Sequence, residues 1–145
     1  MDIAILKKDV DISQSMFLLD QQRNKHNFSI YSISQTPSMY FYGISIFSIK
    51  EIDYFTGDFI VCCDYESCLY ALNSNINKKI IFYSFDLDWT RHNDFEYKQF
   101  EKVYRNKSIS VFARSNYHCD IINKTWNINS KVVEDFNITE IINKL

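Results

Sequence analysis

From Asp58 onward the chain repeats one arrangement: a short run of β-branched and aromatic residues, then a polar or amphipathic stretch of helical length. That alternation dictates a mostly parallel sheet, because parallel neighbours need a crossover and a helix is the usual one. Strands are predicted at 58–63, 79–85, 108–113 and 131–133. Helices are predicted at 65–75, 93–105, 115–126 and 138–145, the last capped by Asn137 or Thr139. Leu69, Leu72 and Ile76 recur at helical spacing, Tyr97, Phe100 and Tyr104 share a face, and Tyr117, Ile121 and Ile122 are expected to point inward.

The first third, 1–57, is ambiguous. Residues 2–6 and 28–35 read as strands, the second ended by Thr36-Pro37, and 12–25 as a helix with Ile12, Met16, Leu19 and Arg23 on one face. Tyr40 to Ile49 is either a third strand or a strand leading into a short helix. With only 2 Gly and 1 Pro in 145 residues, tight hairpins have little material, which argues against an all-β fold. The expectation is a single α/β domain: a Rossmann-like sandwich, its mostly parallel sheet covered by helices on both faces. A chain of this length buries roughly two-thirds of its unfolded surface and needs no staples.

Composition excludes several classes of function. The formal net charge of −2 supplies no basic field for nucleic acid. The longest apolar runs are far short of the ~20 residues of a spanning helix, and Lys7, Lys8 and Asp9 interrupt any signal-peptide core, so no membrane partner is expected and the location is cytoplasmic. Cys62, Cys63, Cys68 and Cys119 lack paired zinc spacing and read as buried thiols in a reducing compartment, with Cys68, His118 and Cys119 as the alternative metal set. Gly43 and Gly57 form neither a dinucleotide fingerprint nor a phosphate loop, so no cofactor is expected.

Ligands of parallel sheets gather outside the carboxyl ends of strands. Those ends carry Asp64 and Glu66, then Asp86, Asp88, Trp89, Arg91 and His92, then Arg114 and Ser115, and finally Glu134, Asp135 and Asn137. One reading has Asp86 and Asp88 capping a helix or pairing with Arg91 and Arg114 to tie loops together. The other makes the edge a polar crevice for a hydroxyl-rich ligand, with Asp86 or Asp88 as general base and the arginines holding an anion. Asp64, Glu66, Trp89, His92 and Ser115 complete the candidate binding set. Of the isolated histidines 26, 92 and 118, His92 lies next to Arg91 at this edge.

The succession Asp58-Phe-Ile-Val-Cys-Cys-Asp64, Ile80-Ile-Phe-Tyr-Ser-Phe-Asp-Leu-Asp-Trp89, Val111-Phe-Ala-Arg-Ser115 and Val132-Val-Glu-Asp-Phe-Asn137 resembles the N-terminal half of GT-B glycosyltransferases, especially the small glycosyltransferase-like proteins of tailed phages. The resemblance spans about residues 58–140. It implies an acceptor-side domain without the donor-binding one, with Asp86 or Asp88 as base, Arg91 and Arg114 near a sugar or sugar acceptor, and a partner chain or second copy supplying the donor site. Its alternative is a non-catalytic binding or structural module, a virion component or host-protein inhibitor, docking through the apolar segment Tyr40 to Ser48. A phage-encoded chain of this kind would reside in the host cytoplasm or the virion.

Overall fold

The computed structural model describes residues 1–9, 14–34, 39–41, 43–92 and 94–145, with the backbone alone at 14–16, 39–41 and 94–95. Eight strands form one sheet: β1 Asp2–Lys7, β2 Asn27–Ser32, β3 Met39–Phe41, β4 Ile44–Ser48, β5 Phe59–Cys62, β6 Lys79–Ser84, β7 Ile109–Ala113 and β8 Lys131–Val132. Their order is β3-β4-β2-β1-β5-β6-β7-β8. Every neighbouring pair is parallel except β3 with β4. The chain moves outward from β1 first to β2 and β4, then to β5 through β8. This is the Rossmann order, and its reversal places a switch point between β1 and β5.

Alternation along each strand feeds two cores. Ala4, Leu6, Ile60, Cys62, Ile80, Phe82, Val111 and Ala113 face one side, where α2 (Tyr65–Asn73), α3 (Asp94–Tyr104) and α4 (Asn116–Trp126) cover them. Ile3, Ile5, Phe28, Ile30, Val61, Ile81, Tyr83 and Phe112 face the other, under α1 (Gln14–Gln22) and α5 (Ile138–Asn143). Strands buried on both faces are why the sequence shows continuous apolar runs there rather than alternation. The Rossmann-like sandwich expected from the sequence is therefore the observed fold.

Side chains set the helix ends. Asp64 caps α2 by accepting from the Ser67 amide, Ser115 caps α4 from the His118 amide, and Asn137 caps α5 from the Glu140 amide. Asn127 closes α4 in the left-handed conformation that asparagine tolerates. Ser115 is thus a cap, one residue outside the helix predicted to begin with it.

Other expectations are corrected. The 40–49 segment is a hairpin: Gly43, at φ 80°, turns β3 into β4, and a 3₁₀ turn follows at Ile49–Tyr54. One glycine at the left-handed position suffices for a hairpin, which the low glycine count had disfavoured. Within the same segment Ile44 and Ile46 are buried in the domain's own core and Phe47 stacks on Tyr31, so this part of the proposed docking surface is internal. Tyr117 is 70% exposed, not inward, because Cys119, Ile122 and Trp126 carry the buried stripe of α4. Arg23 lies exposed beyond α1, beside Asp20, while Leu19 makes the core contact. The expectations at Ile12, Asn93 and Thr36-Pro37, and that for the Met16 side chain, lie outside the described residues.

Candidate functional site

The switch point is closed by structural bonds. Asp64 Oδ1 accepts from the Ser67 amide at 2.8 Å and Oδ2 from the Lys8 amide at 2.7 Å, so one carboxylate caps α2 and ties it to the end of β1. Burial pushes its pKa up, and these donors pull it back. Ser67 Oγ donates to the Leu6 carbonyl at 3.1 Å, and Lys8 Nζ pairs with Glu66 at 3.0 Å. The expected ligand groups Asp64 and Glu66 are therefore engaged within the fold. Level with Lys7 on the α1 face, Cys63 has its thiol pushed up to about 12 by burial, against an opposing pull from Lys7.

At the end of β6 the candidate catalytic pair divides. Asp86 accepts from the Leu87 amide at 2.8 Å and pairs with Arg91, the loop-tying role anticipated as the alternative to catalysis. Asp88 opens the 3₁₀ turn Asp88–Arg91 and makes no side-chain hydrogen bond among the described residues. Burial, then the charges of Asp86 and Asp64, push it up to about 6, with Arg91 and His92 opposing. Trp89 packs edge-on against Tyr104 and Trp126, with ring centroids 5.1 and 5.4 Å away. His92 meets Glu96 through Nδ1 and lies edge-on to Tyr65 and Phe100. Both rings are tied into the α3 side of the sheet.

The other side of the same edge holds a cleft of about 260 Å³ beyond β6, β7 and β8. Half-buried Phe85 faces it, backed by the fully buried rings of Tyr83 and Phe136, the three meeting with centroids 4.7 to 4.9 Å apart. Exposed Arg114, Glu134 and Asp135 line it together with half-buried Ser115. Ser115 Oγ is engaged by His118, accepting from its amide and meeting Nδ1 at 2.7 Å. Arg114, Glu134 and Asp135 make no side-chain hydrogen bond or ion pair among the described residues. Burial and the Arg114 charge lower the pKa of His118 while Asp86 raises it, so Arg114, His118 and Asp86 lie within electrostatic reach where the two sides meet.

The Glu134–Asp135 segment has unusual backbone. Asp135 (φ 52°, ψ 26°) and Phe136 (φ 50°) are consecutive left-handed residues, neither of them glycine. For an L-residue that conformation costs roughly 1–2 kcal/mol, and it persists only where the surroundings enforce it. Tyr83 Oη accepts from the Phe136 amide at 3.2 Å and donates to the Val133 carbonyl at 2.6 Å. Gln22, from α1, donates to the Phe136 carbonyl at 3.0 Å and accepts from the Ile138 amide at 2.8 Å. Sequence reasoning missed Tyr83, Phe136 and Gln22 as site-shaping residues. The first two read as core aromatics and the third as surface, and nothing local marks a non-glycine left-handed pair.

A second groove, of about 250 Å³, lies at the amino end of β7. Its Arg105 is engaged by Glu101 and the Trp126 carbonyl, and its Lys131 by the Lys144 carbonyl. Of the alternative metal set, Cys119 donates to the Ser130 carbonyl at 3.2 Å. Among the described residues no group of three His, Cys, Asp or Glu could hold a metal ion, and no helix is long and apolar enough to cross a membrane. Compared with protein-family models, with curated proteins and with solved structures, the chain matches none of them.

Proposed function

We propose that this domain is a glycosyltransferase-like, acceptor-side module that binds a sugar or sugar acceptor in the cleft beyond β6, β7 and β8. The observation that carries this reading is the pairing of the half-buried Phe85 ring with charged groups that have no partner among the described residues. The apolar face of a sugar ring suits the half-buried Phe85, and its hydroxyls suit the carboxylates of Glu134 and Asp135. In a transferase the candidate base is Asp88, at the same sheet edge but outside the cleft lining, so an acceptor would have to extend beyond the cleft to meet it. Its raised pKa fits proton abstraction near neutrality, and a partner chain or second copy would carry the donor.

A non-catalytic binding module is the second reading, and one observation favours it: Asp86 is engaged by Arg91 and Leu87, and Asp88 lies among the α3-side residues rather than in the cleft lining. A thermal-shift and NMR titration with neutral hexoses and nucleotide sugars tests the reading. A ligand at 100 times its Kd stabilises by about 2.7 kcal/mol, a shift of several degrees, and its amide perturbations should cluster at 114–115 and 134–136. Perturbations elsewhere, or none, reject the cleft. If binding is retained, Asp88→Asn separates the two readings by abolishing transfer in the first and changing nothing but stability in the second.

A further inference from the structure

We propose that the cleft selects a sugar ring carrying one anionic group, a uronate or a sugar phosphate, rather than a neutral sugar. The inference rests on the sugar-binding reading and adds the ligand's charge. The cleft, of about 260 Å³, has room for a single sugar ring.

Charge follows from which groups the fold leaves unmatched. Along this edge Lys8 is matched by Glu66, Arg91 by Asp86 and His92 by Glu96. Arg114 has no such match among the described residues, although Glu134 and Asp135 line the same cleft. Opposite charges thus line one cleft without pairing with each other. A carboxylate or phosphate matches the planar donor fork of Arg114. The two carboxylates can only accept, so they need donors, which ring hydroxyls provide. An inorganic anion alone would satisfy Arg114 and be repelled by Glu134 and Asp135. The left-handed Asp135–Phe136 backbone, clamped by Tyr83 and Gln22, holds the acidic segment in place.

The test is calorimetric titration of the full chain with glucose, glucuronate, glucose 6-phosphate and inorganic phosphate, repeated at raised salt. Glucuronate or glucose 6-phosphate should bind at least ~10-fold more tightly than glucose, the contribution of one charge-assisted pair, and salt should narrow that gap. Arg114→Gln should bring the acidic sugars down to the glucose level, and Arg114→Lys should recover part of the difference. The two acidic ligands distinguish carboxylate from phosphate as the preferred anion. Equal binding of glucose and both acids overturns this inference and leaves the sugar-binding reading standing. Inorganic phosphate binding as tightly as glucose 6-phosphate overturns it in favour of a plain anion site. Failure of every sugar to bind overturns both.

Discussion

Tyr83 holds Phe136 in a left-handed conformation: its hydroxyl, reached from the middle of the sheet, accepts from the Phe136 amide at 3.2 Å while donating to the Val133 carbonyl at 2.6 Å. Burial pushes this phenol up to about 12, so it remains a neutral donor through the working pH range. Tyr83→Phe keeps the ring packing against Phe85 and Phe136 and removes only the hydroxyl. Two buried backbone groups then lose their partner, which costs about 1–3 kcal/mol. Urea denaturation should show that loss, and hydrogen exchange should show faster opening at 133–138. Unchanged exchange there would mean that Gln22 alone sets the loop.

Asp135 tests whether strain is retained for a purpose. Glycine removes a left-handed penalty that for Asp lies below the roughly 1–2 kcal/mol of other L-residues but adds about 0.5–1 kcal/mol of unfolded-state entropy. Asp135→Gly is therefore expected to be neutral or to stabilise by up to about 1 kcal/mol in denaturant melts. If the acidic segment recognises hydroxyls, the same variant weakens sugar binding, a trade of the kind that marks functional strain. A variant that loses stability instead would show that the Asp135 side chain contributes to the fold.

What was legible in the sequence follows from what each residue's neighbours in the chain already say. Runs such as Lys79–Ser84 and Ile109–Ala113 are apolar on both sides because both faces are buried, and that pattern is local. The start of the last helix was legible for the same reason, since Asn137 caps within three residues of itself, whereas Asp64, read as a ligand group, turned out to cap α2. The site was legible only as an edge. Which carboxylate is free depends on partners distant in sequence, such as the Lys8 amide that reaches Asp64 from 56 residues away. Gln22 shapes the cleft from α1, 114 residues before Phe136. The hairpin at Gly43 was missed because glycine scarcity was read as a property of the whole chain, whereas a turn needs its glycine at one position.

Gly57 makes a stricter demand than its loop position suggests. A Cβ there would lie 2.3 Å from the Phe55 ring and 2.7 Å from the Asp2 carbonyl oxygen. The ring can swing but the backbone oxygen at the start of β1 cannot. Gly57→Ala is expected to cost about 1–3 kcal/mol, the usual range for overpacking, read as a lower urea midpoint at unchanged m-value. Tolerance at wild-type stability would show that the 55–58 segment shifts away from β1 at little cost.

Asp88 fixes a pH dependence with a definite sign. Its folded pKa of about 6 lies above the unfolded value near 3.9, so between roughly pH 4 and 6 the folded state binds more protons than the unfolded one. Linkage then makes the Asp88 contribution favour folding below the unfolded pKa and fade as pH rises through the folded one. At pH 7 the carboxylate is half-buried beside Asp86 and Asp64, and Arg91 and His92 only partly offset them. Asp88→Asn should therefore stabilise the domain at pH 7, with the gain shrinking as pH falls from 6 to 4. A gain that persists unchanged at pH 4 would mean that the amide makes a new hydrogen bond.

Asp64 is the sharpest test of the division between structure and site. Both its oxygens are occupied by backbone donors, from Ser67 and Lys8. Asp64→Ala removes a helix cap, worth about 0.5–2 kcal/mol, and the tie across the switch point with it. Asp64→Asn is the more informative change. Its amide can keep one oxygen on Ser67 but turns a donor toward the Lys8 N–H, so the cap survives and the tie does not. Both variants should lower stability, alanine more than asparagine, and leave sugar affinity measured on the folded fraction unchanged. Weakened affinity in Asp64→Asn at intact stability would return Asp64 to the ligand set and move the site from the β6–β8 cleft to the switch point between β1 and β5.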